Sequence, residues 1–163
     1  MANAKSTKMH CDSGFFKRKT KKVLKCWFVF TEISLDRGPL FIIENSHKFE
    51  DLKNQYLDFD VAIHKDRKAI INVYPIEFAK QRDFKILTAH FKPGDALIFG
   101  MYTLQLHGTF QNHSIDNKIR LTCDIRYQPK SEEKDPRYFG SNPGVGYGEL
   151  NSARPLNEDW HNR

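Results

Sequence analysis

Between Lys118 and Tyr127 hydrophobic and polar positions alternate. Ile119, Leu121, Cys123 and Ile125 fall on one side, and Arg120, Thr122, Asp124 and Arg126 on the other. That is the period of a β-strand. Val23 to Ile33 is aromatic and β-branched with no helical stripe, which also predicts a strand. Shorter apolar runs predict strands at Leu40–Ile43, 61–63, 69–74, 84–91, 96–99 and 102–106. The breaks between them carry turn chemistry: Asp36-Arg37-Gly38-Pro39, the charged stretch from His64 to Lys68, and Lys92-Pro93-Gly94-Asp95. The polar segment from Glu50 to Leu57, with scattered apolar positions, predicts a short helix. Seven or eight short strands separated by turns predict an all-β sandwich or jelly roll.

Composition narrows the class. The 163 residues are 39% hydrophobic and 13% aromatic, enough for one core and one domain. We expect the core in residues 1–130. Residues 131–163 hold four of the nine Gly and three of the seven Pro, and read as an extension packed on that core, anchored by Tyr138, Phe139, Tyr147, Leu150 and Trp160. No apolar run approaches the ~20 residues of a spanning helix, and the start lacks the apolar stretch of a secretory signal, so no membrane partner is expected. Cys11, Cys26 and Cys123 are odd in number and widely spaced, which argues against a disulfide framework and for a reducing, cytoplasmic setting.

Charge is unevenly placed. The chain is +6 overall, but residues 1–25 alone hold eight basic groups against Asp12, and the remainder is nearly neutral. A basic end is not the basic face that nucleic-acid binding requires, so no nucleic-acid partner is expected. The run from Lys17 to Lys22 reads first as a solvated loop, then as a steering patch for an anionic substrate, and last as a nucleic-acid contact.

Candidate chemistry begins with the seven histidines. A non-haem iron site needs two imidazoles and a carboxylate with positions left open. In extended chain, residues i and i+2 point the same way, so His-x-Asp offers two ligands together. Two such triplets occur, His10-Cys11-Asp12 and His64-Lys65-Asp66. With seven His and 12 Asp, chance alone supplies about half a triplet. Context separates them: His64 and Asp66 lie in a charged turn, whereas His10 and Asp12 lead into apolar chain. His107 downstream, followed by Gly108-Thr109, and Arg120 on the polar side of its strand could complete the site.

Five segments in order carry a wider pattern. They are His10-Cys11-Asp12 with Gly14-Phe15-Phe16; Trp27; Gly38-Pro39-Leu40 with Glu44 to Lys48; Pro93-Gly94-Asp95 to Phe99; and His107-Gly108-Thr109 with Asn112, Arg120 and Arg126 to Pro129. In these the chain resembles the phytanoyl-CoA dioxygenase family over nearly its whole length. The resemblance implies a double-stranded β-helix (a cupin-like jelly roll) and an Fe(II)- and 2-oxoglutarate-dependent oxygenase, with ascorbate as reductant. It places His10, Asp12 and His107 on the iron. It places Arg120 on the distal carboxylate of 2-oxoglutarate, Thr109 beside it, and Trp27 on the wall of that pocket. A carboxylate at Asp12 implies hydroxylation of an unactivated C–H, in a small molecule or an acyl thioester, rather than halogenation.

Two departures qualify the resemblance. Seven residues separate Asn112 from Arg120, longer than the family pattern, which makes Arg126 the alternative carboxylate partner. His10 also lies near the start, so the expected fold is N-terminally incomplete. An uncovered sheet edge would then favour a homo-oligomer. The rival reading is a non-catalytic jelly-roll binding module, or an inactive fragment of such an oxygenase.

Overall fold

The computed structural model describes residues 7–16, 19–56, 58–61, 63–64, 66, 70–100, 107–116 and 118–135. Two three-stranded antiparallel sheets dominate. One runs β4-β1-β6, from β4 (Ala96–Gly100), β1 (Leu24–Val29) and β6 (Thr122–Tyr127). The other runs β3-β2-β5, from β3 (Ile86–Leu87), β2 (Leu40–Ile43) and β5 (His107–Thr109). Segment 7–10 runs beside β5, with the Thr109 N–H donating to the Thr7 carbonyl at 3.1 Å. His10 bridges Ile70 on its far side.

β2 is apolar at all four positions because it is buried on both faces. Leu40 and Ile42 point between the sheets and join Trp27, Val29, Ile33, Phe91 and Phe99. Phe41 and Ile43 point outward into a second core with Met9, Cys11, Phe49, Leu52, Tyr56, Phe59 and Phe78. Two helices help to close that outer core: α2 (Glu50–Tyr56), which supplies Leu52 and Tyr56, and α3 (Pro75–Gln81), which supplies Phe78. A shorter α1 (Ser13–Phe16) follows Asp12.

Several expectations are corrected. The strand expected over 69–74 reduces to the single bridge at Ile70, and the chain then enters α3, where Pro75 occupies the first helical turn. Proline suits that position because its missing N–H has no helical partner there and its φ is already set. Residues 61 and 63 form turns rather than a strand. The strand expected over 84–91 shortens to Ile86–Leu87, with Phe91 bridging Ile33. The strand expected over 102–106 lies outside the described residues, as do the anchors Tyr138, Phe139, Tyr147, Leu150 and Trp160. The helix expected over 50–57 is present over Glu50–Tyr56, and residue 57 lies outside the described residues.

Glycine is required where segment 7–10 crosses β5. A Cβ on Gly108 would stand 2.8 Å from both the Thr7 carbonyl oxygen and the Phe41 ring. Only a bare backbone lets the chain carrying His10 lie so close.

Candidate metal centre

Met9 and Cys11 are buried in the outer core, so the alternating positions His10 and Asp12 are turned to the other side of the chain. The His10 Nδ1 lies 2.7 Å from the Lys8 carbonyl. A carbonyl can only accept, so Nδ1 carries the proton and donates it. In neutral imidazole this leaves the Nε2 lone pair directed outward, and Nε2 lies 3.2 Å from Asp12 Oδ1. Two acceptors facing each other need a proton or a cation to bind them. Adjacent ligands at right angles on an ion with bonds of about 2.1 Å stand about 3 Å apart. The pair therefore fits a shared metal, and the hydrogen bond at Nδ1 is the outer-shell contact that fixes a metal-binding tautomer.

Asp12 is 2% exposed and sits against two cations. Lys25 Nζ is 3.2 Å from its Oδ2, and Arg126 Nη2 is 3.6 Å from the same oxygen. Lys25 also lies 3.4 Å from Asp124 Oδ1. The sheet register explains the convergence: Lys25 on β1 is directly opposite Arg126 on β6, and Trp27 is opposite Asp124. Directly opposite residues present side chains on the same face. The Arg126 guanidinium is further held 3.9 Å over the Phe16 ring, from α1. Two carboxylates, Asp12 and Asp124, thus stand against two cations, Lys25 and Arg126.

The remaining expected site residues distribute as follows. Trp27 is buried between the sheets, edge-on to Phe91 at 4.9 Å between ring centroids, one register pair from Lys25. Thr109 Oγ1 accepts the Thr7 N–H at 2.9 Å, and so helps to hold segment 7–10. The backbone of His107 pairs with Ile42; its side chain lies outside the described residues. Among the described residues no three His, Cys, Asp or Glu side chains cluster as metal ligands. Arg120 is not brought to Asp12. It donates from Nη1 to the Gly38 carbonyl, and burial pulls its pKa below the ordinary value. Six residues of extended chain, roughly 20 Å, separate it from Arg126. Arg126 is the arginine beside the Asp12 carboxylate. His64 stands apart from this cluster, accepting the Asp60 N–H at Nδ1.

Lys25 is the residue that sequence reasoning passed over as one more member of a basic end. The signal was there: a lysine between Leu24 and Cys26-Trp27-Phe28, in a strand apolar on both faces, must be buried with a counter-charge. A cavity of 490 Å³ lined by Met9, Phe41, Ile71, Val73, Tyr74 and Phe110 includes Met9 and Phe41 of the outer core. Thr7, Lys8 and Thr109, around the segment that carries His10, also line it.

Two antiparallel sheets with a histidine and a carboxylate side by side beside one of them define a sheet-rich protein with a His–carboxylate pair at its candidate site. The family model for phytanoyl-CoA dioxygenase (PhyH) matches residues 2–120, and the chain belongs to that family. Solved structures share the fold. SnoK, described as a non-heme alpha-ketoglutarate-dependent carbocyclase from nogalamycin biosynthesis, is similar at 16% identity over 92% of this chain and 51% of its own, with a TM-score of 0.53. The epimerase SnoN, in complex with Fe3+, alpha ketoglutarate and nogalamycin RO, is similar at 17% identity over 77% of this chain and 46% of its own, with a TM-score of 0.51. The chain thus spans about half the length of these structures or less. No curated protein matches it. Among the described residues no helix is long and apolar enough to cross a membrane.

Proposed function

We propose that this chain is an Fe(II)- and 2-oxoglutarate-dependent oxygenase on a jelly-roll (double-stranded β-helix) scaffold. It would hydroxylate an unactivated C–H of a small molecule or acyl thioester. The observation that carries the reading is the His10–Asp12 pair, with Nε2 facing Oδ1 at 3.2 Å and Nδ1 tied to the Lys8 carbonyl. His10, Asp12 and His107 would hold the iron. When bound together, iron and 2-oxoglutarate supply the oxidising chemistry.

The chain's own residues orient and neutralise. Segment 7–10, clamped to β5 through Thr109 and Gly108, holds His10 in place. Lys25 and Arg126 set two positive charges beside Asp12. The neutral cluster would become doubly positive on gaining a dication, and a dicarboxylate cosubstrate would restore balance. Arg126 stands nearest to Asp12, and its planar fork suits a carboxylate. The core around Trp27 keeps water from that side.

Anaerobic addition of Fe(II) and 2-oxoglutarate should produce the weak visible charge-transfer band of the chelated cosubstrate. His107→Ala and His10→Ala should each remove it while circular dichroism stays native. A band that survives His107→Ala rejects the ligand set. The second reading, a binding module without catalysis, is favoured by one feature: Lys25 and Arg126 already neutralise Asp12 without any metal. A folded chain that gives no band supports that reading instead.

A further inference from the structure

The two carboxylate oxygens of Asp12 have different neighbours. Oδ1 faces His10 Nε2 at 3.2 Å. Oδ2 faces two cations, Lys25 Nζ at 3.2 Å and Arg126 Nη2 at 3.6 Å. We propose that Lys25 is a positioning residue of the metal centre. It holds Oδ2 away from the ion, so that Asp12 binds through Oδ1 alone and a further coordination position stays open. This role rests on the reading of His10, Asp12 and His107 as the iron ligands, and deepens it.

Electrostatics give Lys25 that role. An ion chelated by both oxygens of Asp12 must approach Oδ2 as closely as Oδ1, and so come up against the Lys25 ammonium. Away from water, like charges at that range repel strongly. An ion that bridges Nε2 and Oδ1 leaves the contact between Lys25 and Oδ2 intact. Lys25 is also the better fixed of the two cations. Its side chain is 5% exposed, and its Nζ lies 3.4 Å from Asp124 Oδ1 and 5.7 Å from the centre of the Phe99 ring. Its strand, β1, is paired on both sides, with Lys25 opposite Phe99 on β4 and Arg126 on β6. Arg126 stands farther from Oδ2, its guanidinium 3.9 Å over the Phe16 ring. A buried lysine costs desolvation that a methionine there would not, so stability alone does not account for it.

The consequence is a count of open positions. An octahedral ion held by two imidazoles and one carboxylate oxygen keeps three positions open, and a chelating carboxylate leaves two. A cosubstrate that binds through two atoms fills both of those. Only the one-oxygen mode leaves room for one more small ligand.

Mn(II) alone is the probe, because its effect on water proton relaxation scales with the water molecules it holds. The wild-type chain loaded with Mn(II) should show the relaxivity of an ion with three bound waters. Lys25→Met should still bind Mn(II), counted by paramagnetic resonance of the free ion. Its relaxivity should be lower by about a third, for two waters in place of three. Equal relaxivity in the two proteins overturns the role of Lys25 and leaves the metal centre standing. A folded wild-type chain that binds no Mn(II) rejects the metal centre itself, and the role of Lys25 with it. Infrared difference spectra of the wild-type chain, with and without Mn(II), give a check that needs no variant. A carboxylate bound through one oxygen moves its two stretching bands apart, and a chelating one draws them together. Bands drawn together in the wild-type chain overturn the proposal, and bands moved apart support it.

Discussion

The two sheets of this protein treat their outer faces differently. The sheet β3-β2-β5 is covered on both sides, by the other sheet within and by α2 and α3 without. Among the described residues no helix covers the outer face of the sheet β4-β1-β6. Its outer face is formed by Ala96, Ile98 and Gly100 on β4, Leu24, Cys26 and Phe28 on β1, and Cys123, Ile125 and Tyr127 on β6. None of these nine carries a charge, yet Ile98 is 59% and Tyr127 52% exposed. The inner face of the same sheet carries Lys25, Asp124 and Arg126. Polarity is thus inverted relative to a simple half-buried sheet, because the site at Asp12 demands charge inside.

The largest expected effect sharpens that contrast. Phe41→Ala empties a site on the doubly covered sheet and should cost about 3–5 kcal/mol. Ile98→Ala removes a comparable apolar side chain from the bare face and should change stability by only about 0.5 kcal/mol. Urea denaturation of the two variants checks both. A loss at Ile98 approaching that at Phe41 would show the outer face to be covered in solution, and the contrast would fail.

A second large effect lies in the charged cluster. Asp12→Ala takes a buried carboxylate from Lys25, whose side chain is 5% exposed. Breaking a buried pair from one side costs about 3 kcal/mol or more. Adding Lys25→Met should recover most of that loss, because no buried charge is then left over. Without recovery in the double variant, Lys25 is not the partner that makes Asp12 matter to stability.

Much of this was legible in sequence, and the failures have physical causes. The strand expected over 118–127 is present from Thr122 to Tyr127, but alternation gives two faces without saying which is inward. Here the polar one is, because Lys25 and Asp12 come from distant chain. His10-x-Asp12 was legible because its two groups share a local geometry. That Arg126 rather than Arg120 comes to Asp12 was not, since it depends on where β6 begins against β1, and the loop after Asn112 hides that. The helix at Pro75–Gln81 was missed because its lead-in, Ile70 to Tyr74, is β-branched and aromatic, although a proline can open a helix.

A moderate effect tests how tightly the site depends on the covered sheet. Gly108→Ala forces a methyl group against the Thr7 carbonyl and should cost roughly 1–3 kcal/mol. It should also weaken Fe(II) binding, read by titration of the charge-transfer band, because Thr7 leads directly to His10. Unchanged binding at reduced stability would separate the clamp from the site.

The smallest effect belongs to the exposed margin of the covered sheet's helices. Arg82 bonds the Asp51 carboxylate and stacks over Phe49 and Phe78. The hydrogen bond from Arg82 holds the Asp51 carboxyl below its ordinary 3.8. A carboxyl depressed in the folded state adds stability above its unfolded pKa, and that share is lost as pH falls through the folded value. The window is therefore acidic, below 3.8, and neutral pH should show no slope from this pair. Both groups are largely solvated, so the electrostatic share is about a few tenths of a kcal/mol. Comparing urea midpoints for wild type and Arg82→Met at neutral pH and at about pH 2.5 isolates it, since methionine keeps the apolar contact with Phe49 and Phe78. The difference between the two proteins should shrink at the lower pH; a constant difference would assign Arg82 to packing alone.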